Sequence, residues 1–92
     1  MKSSLYINLK LLDSISNILI TKGLTLSIAE SCTGGFLSTF FTSRSGASAF
    51  FKGSMITYNN ESKNQLLNIA TNKITKHGVV SQAIVENMAS QV

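Results

Sequence analysis

Two short segments carry the residue types that chemistry needs. Glu30-Ser31-Cys32-Thr33-Gly34-Gly35 sets a hydroxyl, a thiol and a second hydroxyl directly before a glycine pair, and Tyr58-Asn59-Asn60-Glu61-Ser62-Lys63 brings a phenol and an ammonium close together. A serine hydroxyl is a weak nucleophile until a base removes its proton, so Ser31 needs a partner from elsewhere in the chain. A glycine pair that opens a helix leaves backbone N–H groups free to hold a phosphate or an oxyanion. If the two segments follow neighbouring parallel strands, Ser31, Tyr58 and Lys63 converge in one crevice beyond the carboxyl ends of those strands, where open α/β sheets bind their ligands.

The elements needed to position them are legible from hydrophobic spacing. Leu5, Leu9, Leu12, Ile15 and Leu19 repeat at helical intervals, with Leu11 and Ile18 widening the stripe and Gly23 placed for a left-handed stop. Leu24 to Ala29 is too short for a helix, alternates large apolar residues and reads as a strand. Phe36, Leu37, Phe40 and Phe41 then fill one face of a second helix. Arg44 to Ser48 is a turn by composition, Ala49 to Gly53 reads as one helical turn ended by glycine, and Ser54 to Tyr58 reads as a second strand. Asn59 or Asn60 caps a third helix through Lys63, Leu66 and Leu67; Thr71 caps a fourth ending at His77-Gly78, and Ser81 caps a fifth through Ile84, Val85 and Met88. This order predicts the α/β class, a partial three-layer arrangement of parallel strands flanked by helices.

Each candidate also has a plainer use. Ser31 can cap the second helix, although Thr33 lies nearer its start and is the better cap. Glu30 is either a charge balancing the helix dipole or a group that holds Lys63 or the site loop. Cys32 is a rival nucleophile, with His77 as its base, or else a small buried filler. His77 at a helix end can simply meet the last carbonyls. Tyr58 can be a strand residue with its ring in the core. The five phenylalanines, Phe36, Phe40, Phe41, Phe50 and Phe51, read as apolar packing rather than a stacking platform.

Composition narrows the function classes. The chain of 92 residues, 43% hydrophobic and 13% charged with net charge +4, is one domain at most and too apolar to stay disordered. A single cysteine excludes an internal disulfide and any multi-cysteine zinc site, and a cytoplasmic location is the expectation. The eight lysines and arginines are scattered, so neither a nucleic-acid stripe nor a membrane span is expected.

Four blocks in order resemble one family: Ala29 to Gly35, Gly46 to Phe51, Gly53 to Asn59 with Lys63, and His77 to Ser81. This pattern resembles the CinA C-terminal domain, the competence-damage-inducible family whose characterised activity is nicotinamide mononucleotide amidohydrolysis. The resemblance implies a hydrolase of NAD recycling that converts a carboxamide to an acid plus ammonia without metal or cofactor. It implies Ser31 as nucleophile, Lys63 as its base and Tyr58 in the same hydrogen-bonded group, with Glu30, Thr33, Gly34, Gly35 and Asn59 as substrate-binding positions. Only about the first half of the family domain is covered. Residues 1–92 are therefore expected to be the N-terminal part of such a domain, apparently truncated. The expected partners are a pyridine nucleotide and either further copies of the chain or a missing C-terminal half. A two-stranded sheet is expected to leave strand edges and apolar helix faces uncovered, notably along Phe36, Phe40, Phe41, Ile84, Val85 and Met88. The alternative function is a non-catalytic remnant or association module of the same fold.

Overall fold

The computed structural model describes residues 8–92. Five helices surround a two-stranded parallel sheet: α1 Leu9–Thr21, β1 Leu26–Glu30, α2 Phe36–Thr42, a 3₁₀ turn Ala47–Ala49, β2 Phe51–Ile56, α3 Asn60–Leu67, α4 Thr71–His77 and α5 Gln82–Gln91. Leu5, the first residue of the expected helical stripe, lies outside the described residues. Asn8 caps α1 by accepting from the Leu11 amide at 3.0 Å, and Gly23 follows the Lys22 cap in the left-handed conformation as expected.

The expected strands are present and adjacent, but their limits move. β2 begins at Phe51 rather than Ser54, because the 3₁₀ turn closes at Ala49 and Phe51 is already paired with Leu26. Gly53, expected to stop a helical turn, is a strand residue. The register jumps from Leu26↔Phe51 to Ser27↔Gly53, which leaves Lys52 unpaired as a bulge, and Gly53 takes a φ of 153° that other residues rarely adopt. β2 ends at Ile56, although the Thr57 amide still donates to the Glu30 carbonyl at 2.8 Å.

Strand alternation divides the core in two. Leu26 and Ile28 point to one face, where Ile28 packs with Leu12 of α1, Phe41 of α2 and Phe50, the last two rings meeting edge to face at 6.4 Å. Ala29 points to the opposite face, against Leu67 of α3, Ile69 of the α3–α4 link, Ile74 of α4, and Ile84 and Met88 of α5. Helices thus cover both faces of the parallel pair, as such strands require. The expectation of uncovered apolar faces needs correction: Phe41, Ile84 and Met88 are buried, Phe36 and Phe40 half-buried, and of that set Val85 alone is exposed. Among the described residues, no helix is long and apolar enough to cross a membrane.

Candidate active site

The alternation that splits the core also sorts two neighbours in the chain. Glu30 follows Ile28 toward α2, and Ser31 follows Ala29 toward α3 and α5. The Glu30 carboxylate accepts the Leu37 amide at 2.7 Å, the Ser38 amide at 3.0 Å and the Thr33 hydroxyl at 2.6 Å, and the Ser38 hydroxyl as well. It therefore caps α2 from the end of β1. The position usually given to a capping side chain is held by Gly35, with φ 101° and no side-chain bond, so neither Ser31 nor Thr33 caps the helix. Gly35 holds φ 101°, which other residues rarely adopt, and a Cβ there would also lie 2.8 Å from Ile56 Cδ1. Burial alone would raise the Glu30 carboxyl, but the bonds from Ser38, Thr33 and the Ser38 and Leu37 amides outweigh it and hold the carboxyl below its ordinary value.

Glu30 also changes what the glycine-flanked turn can offer. The α2 amides expected to meet a phosphate are already given to the carboxylate, and the Gly34 and Phe36 amides donate to the Ser31 and Thr33 carbonyls. The amides of Cys32, Thr33 and Gly35 are left without an acceptor among the described residues.

Ser31 meets Lys63. Asn59 caps α3 with a reciprocal capping box, its Oδ1 accepting the Ser62 amide at 2.8 Å. That start places Lys63 and Leu67 four residues apart on the inner face, where both are buried. Lys63 is 1% exposed, and its Nζ donates to Ser31 Oγ at 2.9 Å and to the Thr57 carbonyl at 2.6 Å. Burial holds the Lys63 amine below the ordinary lysine value, an effect a neighbouring Cys32 thiolate would offset in part.

A cavity of ≈ 740 Å³ opens over this pair. Ser31, Cys32, Thr33, Tyr58 and Lys63 line it, together with Glu30 and the Val79–Gln82 segment that leads into α5. Of the residues expected at the site, Gly34, Gly35 and Asn59 shape the turn and the helix start instead of lining the cavity. Cys32 is exposed and not a buried filler, while His77, at the end of α4, does not line the cavity that Cys32 lines. Tyr58 is 72% exposed at the cavity, outside the core. Residue-type reasoning misses the Thr57 carbonyl, because a backbone acceptor has no sequence signature. It also misses Val79 and Val80 as lining residues, although both belong to the fourth motif block.

Residues 8–92 match the CinA C-terminal domain. The chain belongs to the CinA C-terminal domain family. A CinA-like protein of Prochlorococcus marinus is 49% identical over 81 residues, which cover 84% of this chain and 19% of that protein. One from Petrotoga mobilis is 47% identical over 88 residues, 95% of this chain and 22% of its own length. The chain thus spans about a fifth of the curated CinA-like relatives it matches. Among solved structures, a competence damage-inducible protein from Klebsiella pneumoniae superposes with a TM-score of 0.87 at 31% identity, over 90% of this chain and 52% of that one. The competence/damage inducible protein CihA from Agrobacterium tumefaciens gives 0.89 at 33% identity, over 97% of this chain and 55% of its own. The α/β arrangement described above matches about half of each of these CinA proteins.

Proposed function

We propose that Ser31 and Lys63 are the nucleophile and base of an amidohydrolase site that acts on the carboxamide of a pyridine nucleotide. The observation that carries this reading is the 2.9 Å contact between Lys63 Nζ and Ser31 Oγ, made by a lysine whose burial favours the neutral amine. A neutral Lys63 keeps one N–H for the Thr57 carbonyl and turns its lone pair to the Ser31 hydroxyl. It takes the serine proton as Oγ bonds to the carboxamide carbon. The C–N bond then breaks, the proton passes from Lys63 to the departing nitrogen, and ammonia leaves an ester on Ser31. Water, deprotonated by the same amine, cleaves that ester to give the acid and restores the serine. The unpaired Cys32 and Thr33 amides, next to the nucleophile, are the donors available to the oxyanion. Exposed Tyr58 stands at the mouth of the cavity, where a phenol orients substrate or nucleophile.

The test is ammonia release from nicotinamide mononucleotide, with nicotinic acid mononucleotide identified as the second product. Both products are expected, in equal amounts, and both vanish in Ser31→Ala. A correctly folded assembly with a closed cavity that releases neither would refute the amidohydrolase reading.

A further inference from the structure

Thr57 touches Lys63 with its backbone and leaves its hydroxyl unused. Its carbonyl accepts from Lys63 Nζ at 2.6 Å, and its amide donates to the Glu30 carbonyl at 2.8 Å. The residue is 0% exposed, yet its Oγ1 has no hydrogen-bond partner among the described residues. A buried hydroxyl in that state ordinarily costs stability. Strand alternation gives its direction. The Ile56 side chain reaches Gly35 at the start of α2, so Thr57, still on the ladder through its amide, sends its side chain to the opposite face, where Ser31 and Lys63 meet. Hydroxyl and carbonyl hang from the same Cα, so the contact of the carbonyl with Nζ also brings the hydroxyl close to the amine.

We propose, resting on the serine–lysine reading above, that Thr57 is a positioning residue whose hydroxyl meets the remaining N–H of Lys63 as the amine takes the Ser31 proton. In the neutral amine one N–H goes to the Thr57 carbonyl, the lone pair faces Ser31, and the other N–H is left over on an uncharged group. Once the proton arrives, Nζ is an ammonium with three donors. The Thr57 carbonyl takes one and Ser31 Oγ another, while Lys63 is 1% exposed, which keeps bulk water from the third. An unmet donor on a buried charge costs more than one on a neutral amine, so an acceptor there favours the charged state. Threonine turns its hydroxyl by rotating χ1, which exchanges it with a methyl group of similar size and needs little room. Thr57 does not line the cavity, so it acts through Lys63 and not on the substrate. Of the titratable groups that line the cavity with Lys63, Glu30 is turned to α2, and Cys32 and Tyr58 remain; α5 brings none.

The experiment titrates the Lys63 side chain by NMR, without substrate, in the 92-residue chain and its Thr57→Val and Thr57→Ser variants. Valine keeps the shape and removes the hydroxyl, so the ammonium loses an acceptor and the titration should move down by about one pH unit; serine should restore it. At a pH above that titration, where the amine is neutral, loss of an unmet hydroxyl should leave the urea midpoint of Thr57→Val unchanged or raised. In the assembly that releases ammonia, Thr57→Val should lower kcat about 10-fold with KM within about 2-fold of wild type, and Thr57→Ser should recover the rate. An unmoved titration in Thr57→Val, a shift that serine does not restore, or a raised KM at unchanged kcat would each overturn the proposal. So would a lowered urea midpoint, since the hydroxyl would then already be bonded. Failure of the amidohydrolase reading shows separately, as ammonia release absent from wild type or surviving Ser31→Ala, and the substrate-free titration does not depend on it.

Discussion

Glu30 and Ser31 are adjacent in the chain and do opposite work, because the end of a strand sends consecutive side chains to opposite faces. Glu30 is spent on α2, and Ser31 is left to Lys63. In the assembly that turns over, Ser31→Ala should lower ammonia release by at least about 10³-fold, while Cys32→Ala keeps most of it. Lys63→Met should resemble Ser31→Ala, and Tyr58→Phe should cost less, because an exposed phenol at the cavity mouth orients and does not carry the proton. A reversal between the serine and cysteine variants would move the nucleophile to Cys32. The pH dependence follows from the lowered Lys63 value: the base works when neutral, so the rate should rise with pH, along a limb lying below the ordinary lysine range. Cys32→Ala removes the neighbour that raises the Lys63 value and should not move that limb upward. A limb at the ordinary lysine position would show that the amine is not the base.

Side chains hold the starts of α1, α2, α3 and α5. In contrast, α4 starts after Ala70 with no side-chain cap, and Thr71, expected as its cap, is its first residue. The start that matters most is the turn from Glu30 to Phe36. Glu30→Gln keeps the shape of the side chain but offers an NH₂ to amides that need an acceptor, and should cost about 1–3 kcal/mol of stability in chemical denaturation. The pH sign follows from the lowered carboxyl. Its stabilisation is complete above the unfolded-state value and is lost as pH falls through the folded value, so wild type should lose stability in acid more steeply than Glu30→Gln. Equal acid profiles would mean that the cap contributes nothing. Gly35→Ala should also destabilise, by about 1–3 kcal/mol, since its Cβ meets Ile56 Cδ1 at 2.8 Å on a backbone with φ 101°. A neutral result in thermal melts would show that β2 can yield at its end.

The molecule as a whole divides its apolar residues into two small clusters with a thin sheet between them. Neither cluster is large, so the loss of one ring matters. Phe50 is 1% exposed against Phe41, Ile28 and Leu12, and Phe50→Ala should cost about 3–5 kcal/mol, a large part of the stability of a small domain. Loss of cooperative unfolding, or a midpoint shifted strongly downward, is the expected reading in urea; an unchanged midpoint would mean the cluster is not what holds α1 and α2 to the sheet. Surface hydrophobics are numerous, Val80 at 95% exposed and Leu66 at 55% among them.

The sequence by itself determined the periodic and local features of this protein. Apolar residues at helical spacing marked α1 and α2, Ser81 marked the start of α5, and the α/β order followed from their alternation with two short strand-like runs. Four motif blocks pointed to the CinA C-terminal domain family, because glycine, serine and tyrosine at fixed offsets survive as pattern without any coordinates. What only the tertiary structure decided involves contacts across long separations. Ser31 and Lys63 are 32 residues apart, and their 2.9 Å contact depends on the register of β1 on β2 and on Asn59 starting α3 in the right phase. The start of β2 at Phe51 was set by pairing with Leu26 and by the bulge at Lys52, which no local propensity encodes. The cap on α2 came from Glu30 in the preceding strand, where a reading by offset had pointed to Thr33, the residue nearer the helix. A capping bond is fixed by where a carboxylate lies in space, and sequence distance is a poor guide once a strand end and a glycine turn fold it back over the helix.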